Sequence, residues 1–261
     1  MDRSQLSRVV RILKLFSQSG FVTCILGTHY KSPHIKWEET LFRASVADIC
    51  QISQVGQQVK ILVLSDVHYP LIDDADLSSI IREEKSDKII FLGDSVSEAR
   101  HVSGFLDIVK KSQETLSDVV FIEGDEDSEF LPCVDLVAFE LDGSRFVFVH
   151  GDKFNIGSEH LTFSLASALH KINKTLPAVA YATVGKIRYG KIQDYLILGH
   201  AHVLAYFPRL KVVCAGCLTK TNNLYNDRGY IIIESDYNGV TLTVKRLGRA
   251  ENHTHRISTF P

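Results

Sequence analysis

Positive charge is not in excess in this chain: 29 Lys and Arg stand against 31 Asp and Glu, a net charge of −2. A general nucleic-acid binder shows a basic footprint, so that class is disfavoured. No uninterrupted apolar run reaches the length a bilayer demands, and no membrane-spanning helix is expected. A signal peptide is not expected either, because Arg8, Arg11 and Lys14 interrupt the apolar region it would need. Cysteine is scarce and odd in number, with Cys24, Cys50, Cys133, Cys214 and Cys217 widely spread. That pattern argues against a disulfide framework and predicts a reducing, cytoplasmic compartment. Cys214-Ala-Gly-Cys217 has the spacing of a zinc or redox pair. No second such pair completes a structural zinc site, so it reads as small residues in a turn.

What the chain does have is one event repeated five times. In Leu62-Val63-Leu64-Ser65-Asp66-Val67-His68 an apolar, β-prone run stops at an aspartate, with a histidine two residues on. Runs of this kind read as buried strands, and groups at a strand's carboxyl end sit where open α/β sheets bind ligands. A carboxylate and an imidazole at this spacing can reach one divalent cation. The run Lys88 to Leu92 then closes on Gly93-Asp94, and Val119 to Glu123 closes on Gly124-Asp125-Glu126-Asp127. Phe146 to Val149 closes on His150-Gly151-Asp152, and Tyr195 to Leu198 on Gly199-His200-Ala201-His202. One such ending is a turn. Five of them predict a shared site. The 45% hydrophobic and 23% charged content over 261 residues is that of a globular chain able to bury a full core.

The ordered set resembles the calcineurin-like metallophosphoesterase superfamily, whose pattern is D-x-H, GD, GNH[DE], H-G and GH-x-H. The resemblance runs from about Lys60 to about Gly248. It implies an α/β (α+β) fold, two mixed β-sheets in a sandwich flanked by helices. It also implies two divalent metal ions, manganese in the first place, with iron, zinc or nickel as alternatives. Asp66, His68, Asp94 and His202 would hold one ion, and Asp94, Asp125, His150 and His200 the other, with Asp94 as the bridge and a catalytic group. The implied activity is hydrolysis of a phosphodiester, or of a phosphomonoester, by a metal-bridging hydroxide. Substrates would be small phosphoesters or nucleotide-type molecules. Two positions depart from the pattern: Asp125 stands where the family usually has Asn, and Glu126 where it often has His. Asp125 lowers the net positive charge of the centre. Glu126, in the catalytic position, can donate a proton only if its pKa is raised, which Asp125 and burial would promote. The alternative reading is a non-catalytic, metal-binding scaffold that uses the same fold to hold a protein partner, suggested by Gly124-Asp125-Glu126-Asp127 and the N-terminal extension. A scaffold subunit of this fold that also carries Gly-Asp-x-Asp lacks the Gly-Asp bridging aspartate, which is present here as Asp94.

Three segments are expected: an N-terminal extension at 1–57, the phosphoesterase domain at 58–250 and a tail at 251–261. In the extension, Leu6, Val9, Val10, Leu13 and Phe16 form one helical stripe, expected to pack on the main domain. Its seven Lys and Arg against four Asp and Glu make it +3. Helices are predicted over Asp74 to Lys85, Gly104 to Leu116 and Glu159 to Lys174, the last closed by Pro177. Ala178 to Lys191 reads as helix or as a lid. Strands are predicted over Val203 to Phe207, Leu210 to Cys214, Tyr230 to Glu234 and Thr241 to Lys245, all assigned to the second sheet, with a hairpin turn at Asp236 to Gly239. The tail shows no periodicity, and His253 and His255 read as solvated.

Overall fold

Along β1 (Val59–Leu64), Val59, Ile61 and Val63 enter one buried layer and Leu62 and Leu64 another. A strand buried on both faces carries no polar alternation, which explains its continuous apolar run. β2 (Lys88–Leu92) and β3 (Val119–Ile122) repeat the division: Ile90, Leu92, Val120 and Ile122 face one way, and Ile89, Phe91, Val119 and Phe121 the other. The computed structural model describes residues 58–112, 119–127, 131–154, 159–221, 223–248 and 252–257. The expectations for the N-terminal extension lie outside these residues.

β1, β2 and β3 pair in parallel, joined by α1 (Asp74–Glu84) and α2 (Val102–Ser112). β9 (Gly229–Asp236) pairs antiparallel with β1, and β10 (Gly239–Arg246) and β11 (His253–Ile257) extend that side. The six-stranded order is β11-β10-β9-β1-β2-β3. The second sheet has the order β4-β5-β6-β8-β7, from β4 (Val137–Leu141), β5 (Ser144–Val149), β6 (Tyr195–Leu198), β7 (Leu204–Phe207) and β8 (Val212–Ala215). The two sheets face each other across a core that includes Val63, Leu92, Phe139, Phe148 and Ile197. On the outside of the first sheet, Leu77 and Ile81 of α1 and Phe105 and Val109 of α2 pack on Leu62, Leu64 and Phe91. On the outside of the second, Ala178 and Ala182 of α4 (Leu176–Tyr189) meet Val147, Leu196 and Cys214. α3 (Glu159–Ile172) packs against α4. The result is the expected sandwich of two mixed sheets flanked by helices.

Three local expectations change. β9 and β10 join the first sheet rather than the second, since β9 finds its partner in β1, about 170 residues earlier (Ile61 opposite Ile233). Strand periodicity does not encode such a pairing. Pro177 lies in the first turn of α4 instead of closing α3, a position where a missing N–H costs nothing. Residues read as an aperiodic tail form the edge strand β11, with Ile257 buried and His255 half-buried against Tyr206 at 4.9 Å between ring centroids. The hairpin turn is as expected, with Gly239 at φ +115° and Asn238 N–H donating to the Asp236 carboxylate at 2.7 Å. Cys214 and Cys217 are buried thiols, both pushed up to about 12 by burial, in keeping with a packing role.

A buried carboxylate fastens α1 to the first sheet. Glu84 accepts a hydrogen bond from Tyr230 Oη at 2.6 Å and from Lys245 Nζ, and pairs with Lys60 Nζ at 3.1 Å. Burial raises its pKa, but the bonds from Lys245, Tyr230 and Lys60 outweigh that and hold it below the ordinary 4.5. A carboxylate with a depressed folded-state pKa contributes stability present above its unfolded value and lost as pH falls through the folded one. Glu84→Gln is therefore expected to cost about 2 kcal/mol near neutral pH, less than a fully buried pair because both lysines keep some water. In urea denaturation the difference between wild type and variant should shrink as pH falls below 4.5 and vanish below the depressed folded-state value. A difference that stays constant with pH would contradict this role for the ionised group.

Candidate metal centre

The residues singled out by sequence stand at the carboxyl ends of five strands, three in the first sheet and two in the second. β1 delivers Asp66 and His68, β2 Asp94, β3 Asp125 and Glu126, β5 His150, and β6 His200 and His202. To turn that sharply at a strand end, the backbone enters the left-handed region. Asp66, His68, Asp94, His200 and His202 have φ of 51°, 48°, 50°, 58° and 53°. Each such residue costs on the order of 1–3 kcal/mol, and such outliers concentrate where a site over-determines the geometry. Glycine stands beside the donors because there is no room for anything else. A Cβ on Gly93 would lie 2.2 Å from His150 Nδ1, and one on Gly199 2.2 Å from Ser65 Oγ.

Donor atoms fall into interlocking groups, each within 4.8 Å: Asp66, His68 and His202; Asp94, Asp125, His150 and His200; and His68, Asp94 and Glu126. Asp94 thus stands with His68 on one side and with Asp125, His150 and His200 on the other. All seven expected ligands are brought together. Asp66, His68, Asp94, His150 and His202 are buried, His200 is partly so, and Asp125 is exposed.

The outer atoms of these groups are fastened, which aims the inner ones. His150 Nδ1 donates to Leu92 O at 2.8 Å, leaving a buried Nε2 with no hydrogen-bond partner, 3.4 Å from both Asp94 Oδ2 and Asp125 Oδ1. His68 Nδ1 lies 3.0 Å from Glu126 Oε2, and its Nε2 is likewise buried without a partner. His202 Nδ1 is 3.1 Å from Thr221 Oγ1, with Nε2 3.1 Å from Asp66 Oδ1. Asp66 Oδ2 accepts from Ser65 Oγ and from His200 N at 3.0 Å, while Oδ1 has no hydrogen bond. Asp94 Oδ1 accepts from Glu126 N at 3.1 Å. Buried imidazole and carboxylate atoms left open on one side, with their other atoms held by neighbours, are what a divalent cation requires. The donor set fits metal.

Charge in the cluster points the same way. Burial lowers the pKa of His150, but Asp125 and Asp94 override it and raise the group well above the ordinary 6.5. Asp125 is depressed, first by His150 and then by His200. Asp66 is held at about 2, burial opposing and His202, His150 and Ser65 prevailing. Without cations, the carboxylates of the cluster favour the protonated forms of His68, His150 and His200.

Glu126 departs from the expectation of a raised pKa. The His68 hydrogen bond, the largest influence, lowers it against burial and against Asp125. Glu126 is therefore a carboxylate that accepts from His68 Nδ1–H. Two contributors escaped notice in the sequence. Asp127 is fully buried and accepts the Ser95 N–H through both oxygens, at 2.9 and 3.2 Å, clamping the turn that carries Asp94. Burial pushes it up to about 7 against those bonds. Its place in Gly124-Asp125-Glu126-Asp127 was a visible signal. Thr221, which steadies His202, gave none.

The calcineurin-like phosphoesterase superfamily domain matches residues 59–237. Among solved structures, vacuolar protein sorting 29 from Cryptosporidium parvum superposes with a TM-score of 0.50 at 14% identity, over 77% of this chain and 99% of that one. YfcE, a phosphoesterase from E. coli, gives 0.48 at 16% identity, over 76% and 100%. A novel archaeal phosphodiesterase gives 0.38 at 18%, over 76% and 99%. No curated protein matches in sequence.

The glycine contacts give a test of the geometry itself. Gly93→Ala places a methyl group against the His150 ring at a residue with φ +82°, and is expected to destabilise by about 3 kcal/mol. Gly143 also has positive φ, +72°, but nothing within 4 Å, so Gly143→Ala should cost about 1 kcal/mol. Equal losses in chemical denaturation would mean that contact with His150 is not what demands glycine.

Proposed function

Since the chain belongs to the calcineurin-like phosphoesterase superfamily, we propose that it is a two-metal phosphoester hydrolase that prefers phosphodiesters. One observation carries this reading. Open donor atoms from both sheets converge in groups linked through His68 and Asp94, and Asp94 stands between the two larger ones. The first ion would be held by Asp66, His68, Asp94 and His202, and the second by Asp94, Asp125, His150 and His200. Divalent ions there would supply Lewis-acid polarisation of phosphoryl oxygens and a water acidified to near neutrality. Manganese suits this mixed oxygen and nitrogen set, with iron, zinc and nickel as alternatives.

The protein's own contribution is positioning. The Leu92 carbonyl fixes His150 in the tautomer whose Nε2 lone pair is open, and Glu126 does the same for His68. The Glu126 N–H holds Asp94 Oδ1, so that Oδ2 faces the second group. In this reading Glu126 orients His68, and no cationic histidine stands at its position to protonate a leaving group. Activated aryl diesters, whose leaving group departs unaided, are the favoured substrates, and unactivated alkyl monoesters the poor ones.

Hydrolysis of an aryl phosphodiester and a matched monoester, with saturating Mn²⁺ and metal content measured alongside, tests the reading. Asp94→Asn and His150→Ala are each expected to lose bound metal and at least about a hundredfold in kcat. Asp125→Asn restores one unit of positive charge and should raise turnover; a tenfold gain corresponds to about 1.4 kcal/mol. Full rate and metal content in His150→Ala would overturn the ligand assignment. Two bound metals with no hydrolysis of either ester would favour the scaffold reading of the same fold.

A further inference from the structure

α4 is built inside out. Its fully buried residues are all small, Pro177, Ala178, Ala182 and Gly185, with Tyr181 and Tyr189 packed beside them. Leu176, Val179, Val184 and Ile187, at i, i+3, i+8 and i+11, lie on the outside, Ile187 being 81% exposed. An ordinary surface helix has the opposite arrangement. α3 continues the pattern, exposing Phe163, Leu165 and Ile172. Eight of the ten exposed large hydrophobic residues among those described fall between Phe163 and Ile192. A concentration of this kind marks an interaction surface.

Charge indicates what the surface meets. From His160 to Gln193 the chain has no Asp or Glu, but carries Lys171, Lys174, Lys186, Arg188 and Lys191, within a protein of net charge −2. Lys171, Lys174, Arg188 and Lys191 are exposed among the apolar side chains. Exposed cations interspersed with large aliphatic and aromatic groups, without acids, complement a surface that is anionic at its face and apolar beneath. A second copy related by a two-fold axis would set these cations against themselves. The N-terminal 57 residues, at +3, carry the same sign.

We propose that the outer face of the α3–α4 hairpin is a peripheral docking surface for an anionic lipid bilayer. None of the helices described is long and apolar enough to cross a membrane, so the contact is interfacial. Tyr181 Oη donates to Gly199 O at 3.0 Å and lies 3.3 Å from His150 O, tying α4 to the strand ends that carry the candidate metal donors. Docking would thus keep that site at the membrane.

The full chain is to be sedimented with vesicles of phosphatidylcholine alone and of equimolar phosphatidylcholine and phosphatidylglycerol. Wild type is expected to partition roughly tenfold or more in favour of the anionic vesicles and to be released by high salt. Lys171→Glu with Lys174→Glu, and separately Ile172→Glu with Ile187→Glu, should each abolish that partition while leaving the melting temperature unchanged, since all four side chains are exposed. Equal partition into neutral vesicles, no partition at all, or binding indifferent to both double variants would overturn the proposal. So would a wild-type dimer that Ile172→Glu with Ile187→Glu converts to monomer, which would assign the face to a second copy.

Discussion

The imidazole of His150 lies against the backbone of Gly93, and on that contact the site depends. His150 ends β5 in the second sheet, Gly93 ends β2 in the first, and the Nδ1 bond to Leu92 O joins the two at 2.8 Å. Gly199 N donates to His150 O at 3.0 Å, and His200 N to the Asp66 carboxylate at 3.0 Å, so the other strand ends are drawn to the same seam. The seam sets the separation of the sheets where they meet, and with it the separation of the donor groups. Left-handed residues and methyl-free positions gather here because strands from opposite sheets must turn within a few ångströms of one another.

The same convergence creates an electrostatic demand. Buried carboxylates and histidines with open atoms are costly unless a cation or protons compensate them. Raised histidines and depressed aspartates are the protonic answer, and divalent ions are the stronger one because they satisfy both donor types together. Glu126 fits this balance as an anchor for His68, and Asp127 as a clamp behind Asp94. The departures at Asp125 and Glu126 thus alter charge and orientation while the candidate donors still gather at one end of the sandwich.

What was legible in the sequence follows from locality. A strand that ends on a candidate donor is written in consecutive residues, so β1, β2, β3, β5 and β6 and the seven candidate donors at their ends could be read directly. Which sheet takes a strand depends on partners far away, so β9 and β10 were misassigned although their hairpin was clear. The edge strand β11 takes its order from β10 rather than from an alternating pattern of its own. α4 was ambiguous for a related reason: its large aliphatic residues face outward, so its periodicity did not announce a core-facing side. The pKa of Glu126 was the subtlest point. Its neighbours in sequence argued for a rise, and His68, 58 residues away, reversed it.

Under the proposed function, Asp94 bridges two metal ions at one end of the sandwich. Titration of the metal-free chain with Mn²⁺, followed by electron paramagnetic resonance, tests it most directly. Two ions per chain are expected, with an exchange-coupled spectrum that Asp94→Asn reduces to that of isolated ions. Saturation at one ion per chain, or two ions with no coupling in the wild type, would contradict it.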